Sequence, residues 1–206
     1  MPSQTKITSF ADYQLLVSEH VYDPAEDSFL LAENLTVKRG DYVLDMGTGC
    51  GILAVVAAEK ASKVVAVDIS PYAVRCAKEN AKANHVAGKT SVVQGDLFTP
   101  IRTAEEFDLI LFNAPYLPST NIQEGSWLEH AWAGGKGGRQ VIDRFVCESP
   151  KYLKKGGSIL LMQSTLSDVH ETLHRFRRRG LEADILAKRA LPFFETIVLV
   201  KAKQLS

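Results

Sequence analysis

The chain has 206 residues with 24 basic and 24 acidic side chains, so its formal net charge at pH 7 is zero. Hydrophobic residues make up 46% and charged residues 23%, which is typical of a globular protein and excludes a disordered one. A neutral chain is not expected to bind nucleic acid by charge alone, and no apolar run approaches the ~18–20 residues of a membrane helix.

The start of the chain lacks the apolar region of a secretory signal. Its three cysteines, Cys50, Cys76 and Cys147, form no CxxC pair, so neither a disulfide framework nor a metal site is indicated. We therefore expect one cytoplasmic domain spanning residues 1–206.

Strand-like and helix-like segments alternate along the chain. Strands are predicted at Asp41–Met46, Lys63–Asp68, Thr90–Gln94, Phe107–Phe112 and Ser158–Gln163, and helices at Ile52–Lys60, from Pro71 to about Asn84, Val141–Leu153 and Leu166–Arg179. Such βαβ units cross over right-handed and build a parallel sheet. Two last strands, Leu181–Lys188 and Phe193–Lys201, have no helix between them, so one of them must run antiparallel.

These elements predict an α/β fold, a three-layer sandwich around a seven-stranded, mostly parallel Rossmann-like sheet with an antiparallel C-terminal hairpin strand. Residues 1–20 are predicted to add a helical extension near the edge of the sheet where ligands bind.

A glycine-rich loop follows the first of these strands. Asp45 comes directly before it, and Gly47 and Gly49 within it allow the backbone to turn sharply and approach a ligand closely. A carboxylate at Asp45 would repel a phosphate group but would favour an ammonium group. The loop therefore fits S-adenosylmethionine better than NAD, although the glycines could also serve only a tight turn.

Acidic residues also follow the next two strands, at the end of the sheet where ligands bind. Asp68 could accept hydrogen bonds from a ribose diol, or it could cap the following helix. Asp96 could accept from an adenine amino group, with Leu97 packed on the ring, or it could be a turn residue.

The fourth strand ends in Asn113, Ala114, Pro115 and Tyr116. The Asn113 side-chain oxygen and the Ala114 carbonyl could accept the two N–H groups of a planar amino group. Pro115 would fix the turn, and Tyr116 could lie flat against the acceptor. These four residues are our candidate catalytic residues, although an Asn-x-Pro turn that closes a strand is also common.

Two further stretches, Val21–Leu31 and Glu129–Phe145, resemble the archaeal and eukaryotic branch of the HemK-type class I protein-glutamine methyltransferases. The resemblance covers the chain from about Val21 to Val200. It implies N5-methylation of the glutamine in the Gly-Gly-Gln motif of a class 1 translation release factor, with S-adenosylhomocysteine as the other product.

The same resemblance implies roles for individual residues. Cofactor contacts would come from Ser28, Asp45, Gly47, Asp68, Asp96 and Leu97, and Asn113 would hold the substrate amide with Tyr116 beside it. Ala114 stands where the family usually has proline, which loosens the turn but keeps the carbonyl. The bacterial members carry an N-terminal helical substrate domain, and this chain is expected to have no room for one. Members of this branch often need a small zinc-binding activator subunit, which would cover an exposed apolar strand edge.

Several alternatives stay open at this point. The same pocket could serve a nucleic-acid base methyltransferase acting on adenine N6 or cytosine N4, a lysine N-methyltransferase, or a silent cofactor-binding scaffold. Asp27 could line a lid over the cofactor or be a charge at a helix N-terminus. Lys136 and Arg139, in a loop that also carries Trp127 and Trp132, could be solvated or could meet an RNA-containing partner.

Overall fold

The computed structural model describes residues 5–119, 127–192 and 195–205. Within these ranges the elements are, in chain order, β1 (Thr5–Phe10), β2 (Tyr13–Ser18), α1 (Glu26–Glu33), β3 (Tyr42–Met46), α2 (Ile52–Ala58), β4 (Lys63–Asp68), α3 (Pro71–Ala83), β5 (Thr90–Gln94), β6 (Phe107–Asn113), α4 (Trp127–His130), α5 (Gln140–Glu148), β7 (Leu153–Ser164), α6 (Val169–Arg177), β8 (Leu181–Ala190) and β9 (Thr196–Gln204).

Seven of these strands form one sheet in the order β5-β4-β3-β6-β7-β9-β8. Strands β3 to β7 run parallel, and β9 is antiparallel to both β7 and β8. The predicted fold class is confirmed. β3 lies between β4 and β6, so the strand order reverses there, and the carboxyl ends of these strands are where such sheets bind ligands.

Two apolar clusters cover the two faces of the sheet. One contains Leu44, Ile110 and Phe145, and the other contains Val43, Leu111 and Leu53. Successive residues of β3 and β6 therefore enter opposite clusters, as the pleat of a strand requires. The central strands are buried on both faces, which explains their continuous apolar sequences.

The predicted helical extension at residues 1–20 is wrong. Its described part, from residue 5 onward, forms an antiparallel hairpin of β1 and β2, with Thr5 opposite Ser18 and Phe10 opposite Tyr13. Leu15 and Val17 are buried, whereas Leu16 between them is partly exposed. This period of two is the pattern of a strand with one buried face.

Other differences concern the ends of elements. The helix predicted to reach Leu153 ends at Glu148 and passes into a 3₁₀ turn, Ser149–Tyr152, because Pro150 cannot continue it. β7 consequently begins at Leu153, five positions before the predicted start at Ser158. Helix α6 begins only at Val169, after a 3₁₀ turn. The predicted start of the last strand, Phe193, lies outside the described residues.

Candidate active site

A cavity of about 640 Å³ lies at the carboxyl ends of β3, β4 and β6. Its volume is within the range of small-molecule binding sites. It brings together the predicted residues Ser28, Gly47, Gly49, Asp68, Asp96, Leu97, Asn113, Ala114, Pro115 and Tyr116. Asp45 is the one predicted site residue that is not part of the cavity wall.

The loop after β3 turns on glycines in left-handed backbone conformations. Gly49 has a φ of +56°, and a Cβ added there would meet no described protein atom within 4 Å, so its surroundings are open to a ligand. Gly51 has a φ of +89°, and a Cβ there would come 3.1 Å from Ala77 of α3. The loop thus packs against α3 on one side and is open on another.

Asp45 lies beneath this loop and is completely buried. Its Oδ2 accepts a hydrogen bond from Thr48 Oγ1 at 2.6 Å, and its Oδ1 has no hydrogen-bond partner among the described residues. Burial raises the pKa of the Asp45 carboxyl to about 7, although the bond from Thr48 opposes this. Asp45 thus contacts the loop through Thr48 and is not part of the cavity wall, and its predicted contact with a ligand ammonium group stays a prediction.

Asp68 ends β4 and ties the loop to the start of α3. Its Oδ2 accepts from the Gly49 N–H and its Oδ1 from the Ser70 N–H, both at 2.9 Å. Ser70, not Asp68, caps the helix, because its Oγ accepts from the Ala73 N–H. Burial raises the pKa of Asp68. A carboxylate has about four acceptor positions, so Asp68 retains capacity toward the cavity.

Asp96 and Leu97 form the wall at the end of β5. The Asp96 carboxylate is paired with Arg144 of α5 at 2.7 Å, and Arg144 also lines the cavity. Asp96 also begins a turn, because its N–H donates to Thr99 Oγ1. Leu97 is buried and has a φ of +48°, which is strained for a residue with a Cβ and typical of functional sites. Arg144 was not found from the sequence, since its partner is 48 residues away.

Asn113 ends β6 with its side-chain amide held on one side only. Its Nδ2 donates to Asp27 Oδ2 and to Ser28 Oγ, each at 3.1 Å. Its Oδ1 is buried and has no hydrogen-bond partner among the described residues. An ionised carboxylate can only accept hydrogen bonds, so the amide nitrogen must face Asp27 and the oxygen must point elsewhere.

Asp27 joins α1 to this end of the cavity. It is 5% exposed, and its carboxylate accepts from the Ser28 N–H at 2.6 Å, from Tyr22 Oη at 3.2 Å and from Tyr116 Oη at 3.3 Å, in addition to Asn113. Burial, and next the negative charge of Asp27, raise the pKa of both tyrosines. Neither reading of Asp27 from sequence anticipated these contacts. Its place in the stretch Val21–Leu31 is the signal that could have drawn attention to it.

The segment after Pro115 is held by a backbone ladder. The Leu117 N–H donates to the Trp132 carbonyl at 3.0 Å, and the Gly134 N–H donates to the Leu117 carbonyl at 2.8 Å. Arg139 anchors this loop through Asp143 at 2.8 Å and the Ser167 carbonyl. Arg139 is thus a half-buried anchor of this loop. Residues 120–126, which precede Trp127 in this loop, lie outside the described residues.

In the part of the chain that the structure describes, no helix has the length and apolar character needed to cross a bilayer. The same residues contain no group of three or more His, Cys, Asp or Glu side chains that could hold a metal ion.

Comparisons with known proteins agree with this geometry. The family model "Methyltransferase small domain" matches residues 16–129. A Methanocaldococcus jannaschii protein assigned as a protein N5-glutamine methyltransferase is 44% identical over 188 residues, which cover 90% of this chain and 93% of that protein. Methyltransferase HEMK2 of Homo sapiens is 33% identical, over 82% of this chain and 83% of its own.

Two solved structures are also similar to this chain. A structure of the E. cuniculi Mtq2–Trm112 complex, described as responsible for methylation of the termination factor eRF1, matches with a TM-score of 0.66 and 27% identity, covering 90% of this chain and 99% of that one. The tRNA m1G37 methyltransferase of M. jannaschii matches with a TM-score of 0.74 at 20% identity, over all of this chain and 58% of that one, which shows the fold alone. The chain therefore belongs to the methyltransferase small domain family and, within it, to the protein N5-glutamine methyltransferases.

Proposed function

We propose that this enzyme transfers a methyl group from S-adenosylmethionine to the side-chain amide nitrogen of the glutamine in the Gly-Gly-Gln motif of a class 1 translation release factor. The observation that carries the proposal is Asn113: its Nδ2 is fixed by Asp27 and Ser28, and its Oδ1 is a buried acceptor without a partner among the residues that the structure describes. The relatives named above support the substrate class.

The residues around the cavity fit this cofactor. Asp68 would hold a ribose diol, Asp96 and Leu97 would meet the adenine, and the backbone of Gly47 and of Gly49, which has open space around it, would lie against the amino acid part. When bound, the cofactor supplies an electrophilic methyl group on a sulfonium sulfur.

The acceptor end would orient a weak nucleophile. The lone pair of an amide nitrogen is delocalised into its carbonyl, so alignment of this nitrogen is what the site must provide. Asn113 Oδ1 would accept one N–H of the glutamine amide and the Ala114 carbonyl the other. Tyr116, held by its bond to Asp27, would flank the plane of the amide.

A small partner subunit is part of the proposal, since the structural neighbour is a two-protein complex. β5 is an edge strand whose outer backbone pairs with no other described strand, and its Val93 is 38% exposed. Edge strands of this kind are templates for pairing with another chain. β5 leads directly into Asp96 and Leu97, so a partner there would order the cofactor side of the cavity. We expect Val93→Asp to abolish co-purification of the partner subunit. Ile185→Asp, on the opposite edge strand β8, should leave co-purification unchanged.

The proposed activity is tested by incubating the enzyme with release factor and labelled S-adenosylmethionine, with peptide mass spectrometry to place the label. We expect label on the Gly-Gly-Gln glutamine and a loss on the order of 10²–10³ in kcat for Asn113→Ala, as for other preorganised hydrogen-bonding groups. Label on a lysine, or on DNA or RNA bases only, would replace this function with one of the alternatives. Cofactor binding without transfer to any of these acceptors would indicate a scaffold.

A further inference from the structure

Asp27 contacts Asn113, Tyr22 and Tyr116 at the acceptor end of the cavity. We propose that Asp27 is a positioning residue for the reaction: its carboxylate selects the orientation of the Asn113 amide in which Oδ1 is free to accept from the substrate. The inference rests on the proposed function, because it concerns how Asn113 would hold a planar NH2 group.

Selection is needed because an asparagine amide has nearly the same shape on both sides. A half-turn about its last bond exchanges the oxygen and the NH2 group. In the turned orientation the NH2 of Asn113 would face the NH2 of the acceptor, and no hydrogen bond could form between them. The two groups that touch Nδ2 are Asp27 Oδ2 and Ser28 Oγ. A hydroxyl can donate or accept, so only the carboxylate of Asp27 distinguishes the two orientations.

The carboxylate of Asp27 is itself held in place. Oδ1 accepts from the Ser28 N–H at 2.6 Å and from Tyr22 Oη at 3.2 Å, which leaves Oδ2 facing Asn113 and Tyr116. Asp27 also lies in the first turn of the eight-residue helix α1, where the helix dipole favours a negative charge. Asp27 is only 5% exposed, and this burial limits the movement of its side chain. These contacts fix the direction of the acceptor that Asn113 meets.

Asp27→Asn tests the proposal with little change in shape. An asparagine at position 27 can donate as well as accept, so both orientations of Asn113 would be satisfied. We expect kcat toward release factor to fall about 100-fold, as for a displaced reacting group. The dissociation constant of S-adenosylhomocysteine and the Tm should remain close to the wild-type values. The matched control is Asp23→Asn, the same change four residues earlier, since Asp23 contacts Lys6 and Thr8 and does not line the cavity; its kcat should be unchanged.

A double variant separates positioning from a structural role. Asp27 acts through Asn113 in this proposal, so adding Asp27→Asn to Asn113→Ala should reduce kcat by less than threefold more, whereas independent structural damage would multiply the two losses. The proposal is overturned if the two losses multiply, or if Asp27→Asn alone keeps kcat within threefold of wild type while the wild type labels the glutamine. Absence of wild-type labelling would overturn the proposed function and this inference together.

Discussion

The Asp68 carboxylate accepts the backbone N–H of Gly49 at 2.9 Å and so joins the loop after β3 to the carboxyl end of β4. These two elements line the cavity from adjacent strands. The same carboxylate accepts from the Ser70 N–H, so one side chain sets the loop, the start of α3 and the cavity wall.

Asp68→Asn is expected to weaken binding of S-adenosylhomocysteine by at least tenfold. One oxygen is replaced by an NH2 group, which would face either the Gly49 N–H or the Ser70 N–H with no hydrogen bond possible. A lost charge-assisted bond is worth about 1.5–3 kcal/mol, and about 1.4 kcal/mol is a factor of ten in the dissociation constant. Isothermal titration calorimetry measures the change. Asp41→Asn, at a turn outside the cavity, is the control and should bind normally.

The buried Asp45 predicts a pH dependence of stability. The pKa of its carboxyl is about 7 in the folded chain, against ~3.9 for an unperturbed aspartate. Between these values folded Asp45 binds more protons than unfolded Asp45, so its contribution to the free energy of unfolding falls as the pH rises from about 4 to about 7. The contribution of this one group is about 4 kcal/mol at most.

An asparagine side chain cannot ionise, so the Asp45→Asn variant lacks this fall in the free energy of unfolding. Urea unfolding at several pH values should show the variant gaining stability relative to wild type as the pH rises to 8, while Thr48 can still donate to the amide oxygen. A stability difference that stays constant from pH 4 to pH 8 would show that Asp45 does not titrate in this window.

Gly138 lies in the loop that carries Trp132 and packs against the backbone of Tyr116. Its φ is +67°, and a Cβ added there would lie 2.2 Å from the Tyr116 carbonyl oxygen. Gly138→Ala should therefore displace Tyr116 and lower kcat by tenfold or more, in addition to ~1–2 kcal/mol of backbone strain. Gly180→Ala is the matched control, since Gly180 has a φ of +82° and open space around it. That variant should lose stability only. Equal kcat in the two variants would show that Tyr116 tolerates the shift.

The order of the elements and the cavity edge were predictable because both depend on local patterns. Valine-rich strands such as Lys63–Asp68 alternate with helices, and a parallel sheet places the residues after each strand at one edge. Asp68, Asp96 and Asn113 could therefore be assigned to a common site from their positions alone.

The partners of these residues could not be predicted, because they are distant in the chain. Asp27 reaches Asn113 across 86 residues, and Arg144 reaches Asp96 across 48. The burial of Asp45 was not predictable either, because its position next to the glycines does not show that its side chain lies beneath the loop and contacts Thr48.

The N-terminal hairpin depends on Asn80, a fully buried side chain of α3. Its Oδ1 accepts from the Leu16 N–H, and its Nδ2 donates to the carbonyls of Leu16 and Cys50, each at 2.8 Å. One amide thus completes the edge of β2 and also holds the loop that lines the cavity. Asn84, one turn later, makes the same pair of bonds to Gln14 at a more exposed position.

Asn80→Ala should lower the free energy of unfolding by about 3 kcal/mol, since three bonds at about 1 kcal/mol each are lost and the Leu16 N–H is left without its partner. The better helix propensity of alanine offsets less than about 0.7 kcal/mol of this loss. Asn84→Ala should cost about 1 kcal/mol, because water can replace the exposed bonds. Urea unfolding measures both variants, and hydrogen exchange at the Leu16 amide should accelerate in Asn80→Ala alone. Because the Cys50 carbonyl is released as well, S-adenosylhomocysteine should also bind more weakly to Asn80→Ala than to Asn84→Ala. Equal losses of stability in the two variants would mean that burial of this amide contributes nothing to holding the hairpin.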